Sequence, residues 1–247
     1  MFRVFRNKGL LDPSGGQAML TQNAIRTGFT RQAANNMPAR AQISGFSLSD
    51  SINLMGTTIP YSRNAEIFGE NEPADYVYKV VKGAVRTYKV LADGRRQIGA
   101  FYLPGDVFGL ETDDLHTFSA EAIGNAKILV VKRGALMALA ARDNEVACKL
   151  WSMTGQELRR VQDHILLLIK TAKERVVGFL LEMAERVQSG NHIELPMTRQ
   201  DIADYLGLTM ETVSRTLGDL ESDASIELAS ARRIVLHDRG ALARLNS

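Results

Sequence analysis

The sequence predicts an α+β protein in which an antiparallel β-roll comes first, one long helix follows, and a smaller helical region ends in a β-hairpin. Two observations support this order. Short β-rich runs separated by turn signals occupy the chain from about residue 59 to residue 131. After Arg133 the apolar residues recur at helical spacing instead.

Length and composition limit the class of protein. The chain has 247 residues, 45% of them hydrophobic and 23% charged, which is typical of one or two globular domains. A single cysteine, Cys148, excludes an internal disulfide framework and any iron–sulfur or zinc site built from several thiolates of one chain. No apolar run approaches the roughly 20 residues that span a bilayer, and charges interrupt the first eleven residues where a signal peptide would be apolar. We therefore expect a protein of the reducing cytoplasm, with no membrane partner.

The β-rich region contains alternating strands and turns. Tyr76–Val81 and Ala84–Val90 lie on either side of Lys82-Gly83, and the hairpin signal at Asp93-Gly94 leads into Arg96–Tyr102. Glu121–Val131 is expected to hold one or two more strands. Short strands at nearly regular spacing are typical of a roll or barrel.

We divide the chain into four segments by these changes of pattern. The first is rich in Asn, Gln, Ala, Gly and Ser and is expected to be a flexible extension, with a short helix near Phe46–Met55; a tail without function is the alternative. The predicted segments are a flexible extension at 1–45, the β-roll at 46–140, a dimerisation helix at 141–170 and a C-terminal domain at 171–247.

The long helix has an apolar seam whose residues recur at alternating steps of four and three. Charged residues such as Arg159 and Lys170 lie on the other faces. A seam of this kind is typical of a parallel homodimer, although a helix that packs on its own domain would show a similar stripe. The predicted dimerisation residues are Ala147, Trp151, Thr154, Leu158, Val161, Ile165 and Leu168, and the pattern continues to Ala172.

Residues 199–218 have the layout of a helix-turn-helix. Ala203 is small, as is needed where two helices cross closely, and Gly207 lies where the turn requires a positive φ. Val213, six residues later, is expected to pack the second helix on the first. Pro196 and Ser189-Gly190-Asn191 separate this motif from the preceding helix, and a hairpin is expected from Ile226 to His237.

The second helix of this motif carries polar residues suited to recognising bases. Thr209 is a good N-cap, and Glu211, Ser214 and Arg215 share the face opposite Val213. Arginine can donate two hydrogen bonds to guanine, and glutamate can accept one from the paired cytosine, so the two could recognise one G·C pair. An ordinary ion pair on a solvated helix is the alternative. The predicted DNA-binding residues are Thr198, Arg199, Thr209, Glu211, Thr212, Ser214 and Arg215.

With these motifs the sequence resembles the CRP/FNR transcription regulators, and in particular their FixK branch. The resemblance covers roughly residues 60–247. It rests on the motifs Gly69-Glu70, Pro104–Gly109 and Ala172–Val176, and above all on the run from Leu195 to Arg215.

The resemblance implies a cyclic-nucleotide-binding-like β-roll, a dimer helix and a winged helix-turn-helix. It implies a homodimeric activator that binds a palindrome with TTGAT-like half-sites and contacts RNA polymerase. The genes it implies are micro-oxic, nitrogen-fixation or respiratory ones. Such half-sites contain one G·C pair, as expected for Glu211 and Arg215.

The β-roll departs from the family members that bind a cyclic nucleotide. Those members carry Gly-Glu and then Arg-Ser or Arg-Thr, whereas here Leu110 follows Gly109 and the arginine pair aligns with His116 and Thr117. Glu111 lies one residue out of register. Residues 1–40 contain no cysteine for an iron–sulfur cluster. We therefore predict no cofactor and no cyclic-nucleotide effector.

Two other hypotheses remain open at this stage. A related regulator gated by haem, nitric oxide or a redox signal would control denitrification or respiration genes. The four histidines have no ligand spacing, and each is expected to be an ordinary surface or core residue.

Cys148 is expected to be a small buried residue, with a redox-sensitive thiol at the dimer interface as the alternative. An enzyme is the third hypothesis, but the sequence contains no Gly-x-Gly-x-x-Gly, P-loop, His-Glu-x-x-His or nucleophile-elbow motif.

Overall fold

A computed structural model describes residues 55–187 and 192–246. The described residues belong to one compact unit. Within these two ranges, no helix combines the length and apolar character that crossing a membrane requires. The predicted extension at 1–45, most of the predicted helix at Phe46–Met55 and the break at Ser189–Asn191 lie outside the described residues.

The N-terminal part is an antiparallel β-roll, as predicted. Two four-stranded sheets face each other, with strand orders β1-β8-β3-β6 and β2-β7-β4-β5. Their inward side chains, such as Val80, Phe108 and Ile128, are buried between them. The strands are β1 (Thr57–Tyr61), β2 (Glu66–Phe68), β3 (Tyr76–Lys82), β4 (Val85–Val90), β5 (Arg96–Tyr102), β6 (Val107–Phe108), β7 (Ser119–Ala122) and β8 (Ala126–Lys132).

The sequence patterns predicted the long strands and not the short ones. β5 has the predicted bounds, and Gly94 closes the β4–β5 hairpin with a positive φ. Glu121–Val131 spans two strands, β7 and β8, because the chain turns at Ile123–Asn125. β1, β2 and β6 were not predicted. β2 and β6 have only three and two residues, too few for an alternating pattern, and pairing with β7 and β3 stabilises them.

Two helices follow the roll: α1 (Arg133–Ala140) and α2 (Asn144–Leu168). The side chain of Asp143 caps α2 by accepting hydrogen bonds from the backbone N–H groups of Glu145 and Val146. Because α2 ends at Leu168, the predicted extension of its seam to Ala172 is wrong, and Ala172 begins the next helix.

The prediction that Cys148 is buried is also wrong, because the structure exposes this side chain. Among the described residues of α2, Val146 is the one fully buried side chain, and it marks the face that packs on the rest of the chain. Cys148 is two positions further on, about 200° around the helix, and therefore projects from another side.

The C-terminal part contains four helices and a three-stranded antiparallel sheet of order β10-β11-β9. The predicted hairpin is present as β10 and β11, and a final helix was not predicted. The elements are α3 (Ala172–Val187), β9 (His192–Glu194), α4 (Arg199–Leu206), α5 (Met210–Ser222), β10 (Ile226–Leu228), β11 (Arg233–Leu236) and α6 (Arg239–Leu245).

One buried apolar cluster joins the roll to the C-terminal helices. Phe101 of β5 contacts Phe179 of α3 and Tyr205 of α4, with ring centroids 6.2 Å and 5.2 Å apart. Aromatic contacts of this kind bury large apolar areas and hold helices against a sheet. The first helix of the helix-turn-helix, α4, therefore packs directly on strand β5 of the roll.

Candidate DNA-binding surface

The predicted helix-turn-helix is present as α4, a three-residue turn and α5. Gly207 adopts φ 62° and ψ 40° in the turn, the left-handed conformation that glycine permits without steric cost. Ala203 and Val213 are completely buried where the two helices cross. The small residue, the glycine and the β-branched residue thus perform the roles that their spacing predicted.

Side-chain caps fix the first turn of both helices. The hydroxyl of Thr198 accepts a hydrogen bond from the N–H of Asp201, and the Asp201 carboxylate accepts one from the N–H of Thr198. On α5, the hydroxyl of Thr209 accepts from the N–H of Thr212. Both threonines were predicted to bind DNA, and the structure places each at a helix N-terminus, where backbone N–H groups favour phosphate oxygens.

One side of α5 faces the protein and the other faces outward. Val213, Leu217 and Leu220 are buried, as predicted. Glu211 and Arg215 on the opposite face are exposed, and Ser214 is half-buried. Because the apolar contacts fix the rotation of the helix about its axis, the polar face presents Glu211 and Arg215 together to solvent.

The electrostatics of this face keep Glu211 ionised. Hydrogen bonds from its own backbone N–H and from the Thr209 hydroxyl, together with the charge of Arg215, lower the pKa of Glu211. An ionised carboxylate accepts hydrogen bonds, as recognition of a cytosine amino group requires. Arg199 at the start of α4 reaches α5, with its Nη1 donating to the Ser214 hydroxyl over 3.3 Å. The predicted residues of the two helices therefore form one surface.

The turn of the C-terminal hairpin adds two basic residues that sequence analysis did not select. The Ser230 hydroxyl accepts hydrogen bonds from the N–H groups of Arg232 and Arg233, and both arginines are exposed. Exposed arginines on a wing are suited to phosphate contacts. Two adjacent arginines at a predicted hairpin turn are the sequence feature that could have indicated these phosphate contacts.

The seam of α2 is mostly exposed within a single chain. Trp151, Leu158, Val161 and Ile165 expose 82%, 59%, 46% and 56% of their surface. Thr154 is exposed, and Ala147 and Leu168 are half-buried. This helix thus presents a long apolar stripe that the other described residues of the chain leave exposed.

A group of charged side chains connects the roll to α4. Arg86 donates 2.8 Å hydrogen bonds to Asp201 of α4 and to Glu121 of β7. Arg96 donates to Asp201 at 2.7 Å and to Asp204 at 2.8 Å. Arg86 and Asp201 are 7% and 1% exposed, so these ion pairs are shielded from water. We call these five residues the Arg–Asp cluster.

Sequence analysis missed the Arg–Asp cluster. Its arginines and the carboxylates of α4 are 105 to 115 residues apart along the chain. Isolated arginines in strands and aspartates on a helix give no spacing pattern that would connect them. Only the packing of α4 on β5 brings them together.

His116 and Glu111 form a polar pair inside the roll. His116 is 1% exposed and stacks on Phe68 with ring centroids 3.6 Å apart, so it is a core histidine, as expected. Its Nδ1 lies 3.3 Å from Oε1 of Glu111. A cavity of about 580 Å³ between the roll and α2 is lined by Glu111 and mainly by apolar residues, among them Leu110, Phe118 and Val161.

A helix-turn-helix with an exposed polar recognition face, attached to a roll and a long helix, defines a DNA-binding transcription regulator. Comparison with known proteins supports this class. Residues 174–245 match the Crp-like helix-turn-helix domain, and residues 58–143 match the cyclic nucleotide-binding domain.

Proteins similar to most of this chain show which kind of transcription regulator it is. The chain is 52% identical over 199 residues to the nitrogen fixation regulation protein FixK of Azorhizobium caulinodans, covering 78% of this chain and 80% of the relative. It is 41% identical to the protein of the same name from Rhizobium meliloti, covering 70% and 80%. The structure of FixK2 from Bradyrhizobium japonicum is similar at 54% identity and a TM-score of 0.75, covering 78% of this chain and 98% of that one.

The chain therefore belongs to the FixK branch of the CRP/FNR family. It is a transcription regulator with a helix-turn-helix DNA-binding domain and not an enzyme.

The contact between α2 and α4 makes stability depend on pH. His164 of α2 stacks on Tyr205 of α4 with ring centroids 4.0 Å apart, and burial lowers the pKa of His164 to about 4. The unfolded chain protonates this histidine near its ordinary pKa of about 6.5. The folded state does not, so stability falls as the pH decreases from about 6.5 to about 4.

We expect His164→Phe, which keeps an aromatic ring against Tyr205, to reduce this loss of stability on acidification. Urea unfolding at fixed protein concentration, repeated between pH 7 and pH 4.5, measures the effect. His192→Phe is the matched control, because His192 is exposed. Equal pH dependence in both variants would contradict the role assigned to His164.

Proposed function

We propose that this chain is a homodimeric transcription activator that binds a palindrome with TTGAT-like half-sites without an effector. The exposed pair Glu211 and Arg215 on α5 carries the proposal. These residues lie in the first half of the second helix, which enters the major groove in this motif.

The chemistry of the pair matches one G·C base pair in each half-site. Arg215 donates to O6 and N7 of guanine, and ionised Glu211 accepts from N4 of the cytosine. Ser214 is held by Arg199 and can contact either strand. Thr198 and Thr209 cap α4 and α5, and Thr212 lies in the first turn of α5. Residues at helix N-termini contact the phosphate backbone, which positions the protein on DNA without reading the bases.

The exposed seam of α2 supports the homodimer. A palindrome requires two copies related by a two-fold axis, and a parallel pair of α2 helices provides one. Each copy would cover the apolar surface that Trp151, Leu158 and Ile165 expose. Two such seams packed side by side would form an interface of the coiled-coil type.

The roll cavity supports regulation without a cyclic nucleotide. A nucleotide phosphate needs cationic groups or N–H donors around it, and the cavity next to α2 is lined mainly by apolar residues. At the aligned position the chain has His116, whose ring is stacked in the core. The buried arginine of β4, Arg86, is paired with Asp201 and Glu121.

One observation favours the ligand-gated alternative. Within the described residues, Nε2 of His116 and Oε2 of Glu111 are buried and have no hydrogen-bond partner. Buried polar groups are usually satisfied by protein, water or ligand. A small polar molecule, nitric oxide or haem acting through the roll is therefore the second candidate for this regulator.

The names of the relatives suggest the genes. By analogy with the FixK proteins of Azorhizobium caulinodans and Rhizobium meliloti, we infer control of nitrogen-fixation or other micro-oxic respiratory genes. Activation implies contact with RNA polymerase in the cytoplasm. Denitrification genes fit the same recognition chemistry.

The test is a gel-shift titration of the purified protein without added ligand, at stated salt. One probe is a TTGAT–ATCAA palindrome and the other has both G·C pairs inverted. We expect tight binding to the first and at least about tenfold weaker binding to the second. Weak binding to both, combined with a Soret band or restored by an added ligand, would support the gated alternative.

We expect Arg215→Ala to reduce binding to the palindrome by about 1–3 kcal/mol, because the guanine contacts are lost. The same titration measures it, with Arg63→Ala as a control that removes an equal charge from an exposed position of the roll. If binding to unrelated DNA fell by the same factor, Arg215 would contact phosphate and the assigned role would be wrong.

We expect Ile165→Glu to give a monomer, because it places a charge within the apolar seam. Sedimentation velocity measures the mass, and the palindrome titration should show a parallel loss of affinity. Gln162→Glu is the matched control, being an exposed position off the seam of the same helix. An intact dimer in Ile165→Glu would contradict the seam assignment.

A further inference from the structure

We propose that the Arg–Asp cluster orients the helix-turn-helix for binding two half-sites at once, so that this chain holds a DNA-competent geometry without a bound effector. The proposal deepens the proposed function and rests on it. It makes Arg86 and Arg96 positioning residues, since both lie in the roll and contact α4 instead of DNA.

A palindrome imposes a strict requirement on this orientation. Two recognition helices must reach successive major grooves about 34 Å apart. Each DNA-binding domain joins its dimer helix through only Ile169–Thr171, between the end of α2 and the start of α3. A three-residue link does not fix a direction, so side contacts must do so. Any orientation not fixed before binding costs entropy when DNA binds.

The cluster supplies direction where apolar packing does not. Apolar contacts such as that between Phe101 and Phe179 are non-directional and tolerate rotation. Charge-assisted hydrogen bonds from guanidinium groups have fixed geometry, and buried charges strongly disfavour any arrangement that leaves them unpaired. Arg86 and Arg96 converge on Oδ1 of Asp201, so a rotation of α4 would expose or separate all three charges.

The Asp201 carboxylate connects this joint to the DNA-binding surface. Its Oδ1 accepts from the two arginines of the roll. Its Oδ2 accepts from the N–H and the hydroxyl of Thr198, which caps α4 at the predicted DNA-binding face. One buried side chain therefore determines both where α4 begins and how it lies on the roll.

A second attachment prevents α4 from pivoting about Asp201. The Gln97 side chain of β5 donates to the backbone carbonyl of Tyr205, 3.2 Å away near the C-terminal end of α4. The Tyr205 ring also stacks on His164 of the dimer helix. Two attachments, one near each end of an eight-residue helix, fix its rotation as well as its position.

The experiment compares full-site with half-site binding. Gel-shift titrations of the full-length protein use a TTGAT–ATCAA palindrome and a duplex with a single TTGAT half-site. The ratio of the two affinities measures preorganisation, because contacts within one half-site contribute to both probes. We expect Arg96→Glu to lower this ratio about tenfold or more, and Arg96→Gln to lower it by less.

The control variant changes a neighbouring residue of the same hairpin, and the rescue variant reverses the charges of the Arg96–Asp204 pair. Arg95→Glu makes an equal charge change next to Arg96, but Arg95 pairs only with Asp93 of its own turn in the described contacts. We expect the Arg95→Glu ratio to stay within about threefold of the unsubstituted protein. Adding Asp204→Arg to Arg96→Glu reverses the pair with Asp204 but leaves a carboxylate facing Asp201, so we expect the ratio to recover only in part, by about threefold or more over Arg96→Glu alone.

The outcomes separate this proposal from the proposed function. If the unsubstituted protein does not prefer the palindrome, the proposed function fails. If it does, but Arg96→Glu matches Arg95→Glu, the positioning role is overturned. Arg96→Glu that lowers affinity for both probes equally, or that loses the dimer by sedimentation, also overturns it, since the effect would then be on folding. A low ratio that the reversed pair raises again supports it.

Discussion

The rest of the structure depends on the hydrogen bonds and ion pairs that the Asp201 carboxylate forms. It is almost completely buried, and a buried charge is tolerated only when every lone pair is engaged. Four donors meet this requirement: the backbone and hydroxyl of Thr198 on one oxygen, and the guanidinium groups of Arg86 and Arg96 on the other. The start of the helix-turn-helix and its position against the roll are therefore set by the same side chain.

The position of the long helix α2 depends on the same contacts, because this helix connects the roll to the C-terminal helices. Its seam residues Leu158 and Val161 line the cavity beside the roll while staying 59% and 46% exposed, and His164 contacts Tyr205 of α4. Its outer side leaves Trp151 and Ile165 exposed. An apolar stripe of this kind on an exposed helix is expected where a second copy covers it, as we propose.

The roll keeps the family architecture but has His116 and Thr117 where members that bind a cyclic nucleotide carry the arginine pair. The buried Arg86 of β4 pairs with Asp201 and Glu121. His116 and Glu111 take the interior position, and the neighbouring cavity is lined mainly by apolar side chains. The same fold therefore supports a regulator whose geometry is held by ion pairs within the protein, as we propose, because guanidinium groups form bidentate hydrogen bonds with carboxylates.

The sequence by itself determined the features that depend on local spacing. The strand β5, the Asp93-Gly94 hairpin, the Gly207 turn and the buried face of α5 follow from residues within a few positions of one another, so alternation, helical period and turn chemistry predict them. The tertiary structure decided what depends on distant partners. The short strands β2 and β6 exist through pairing, α2 ends before Ala172, and Cys148 is exposed because of the direction α2 takes across the roll. The Arg–Asp cluster is the clearest case, since charges more than a hundred residues apart meet only when α4 packs on β5.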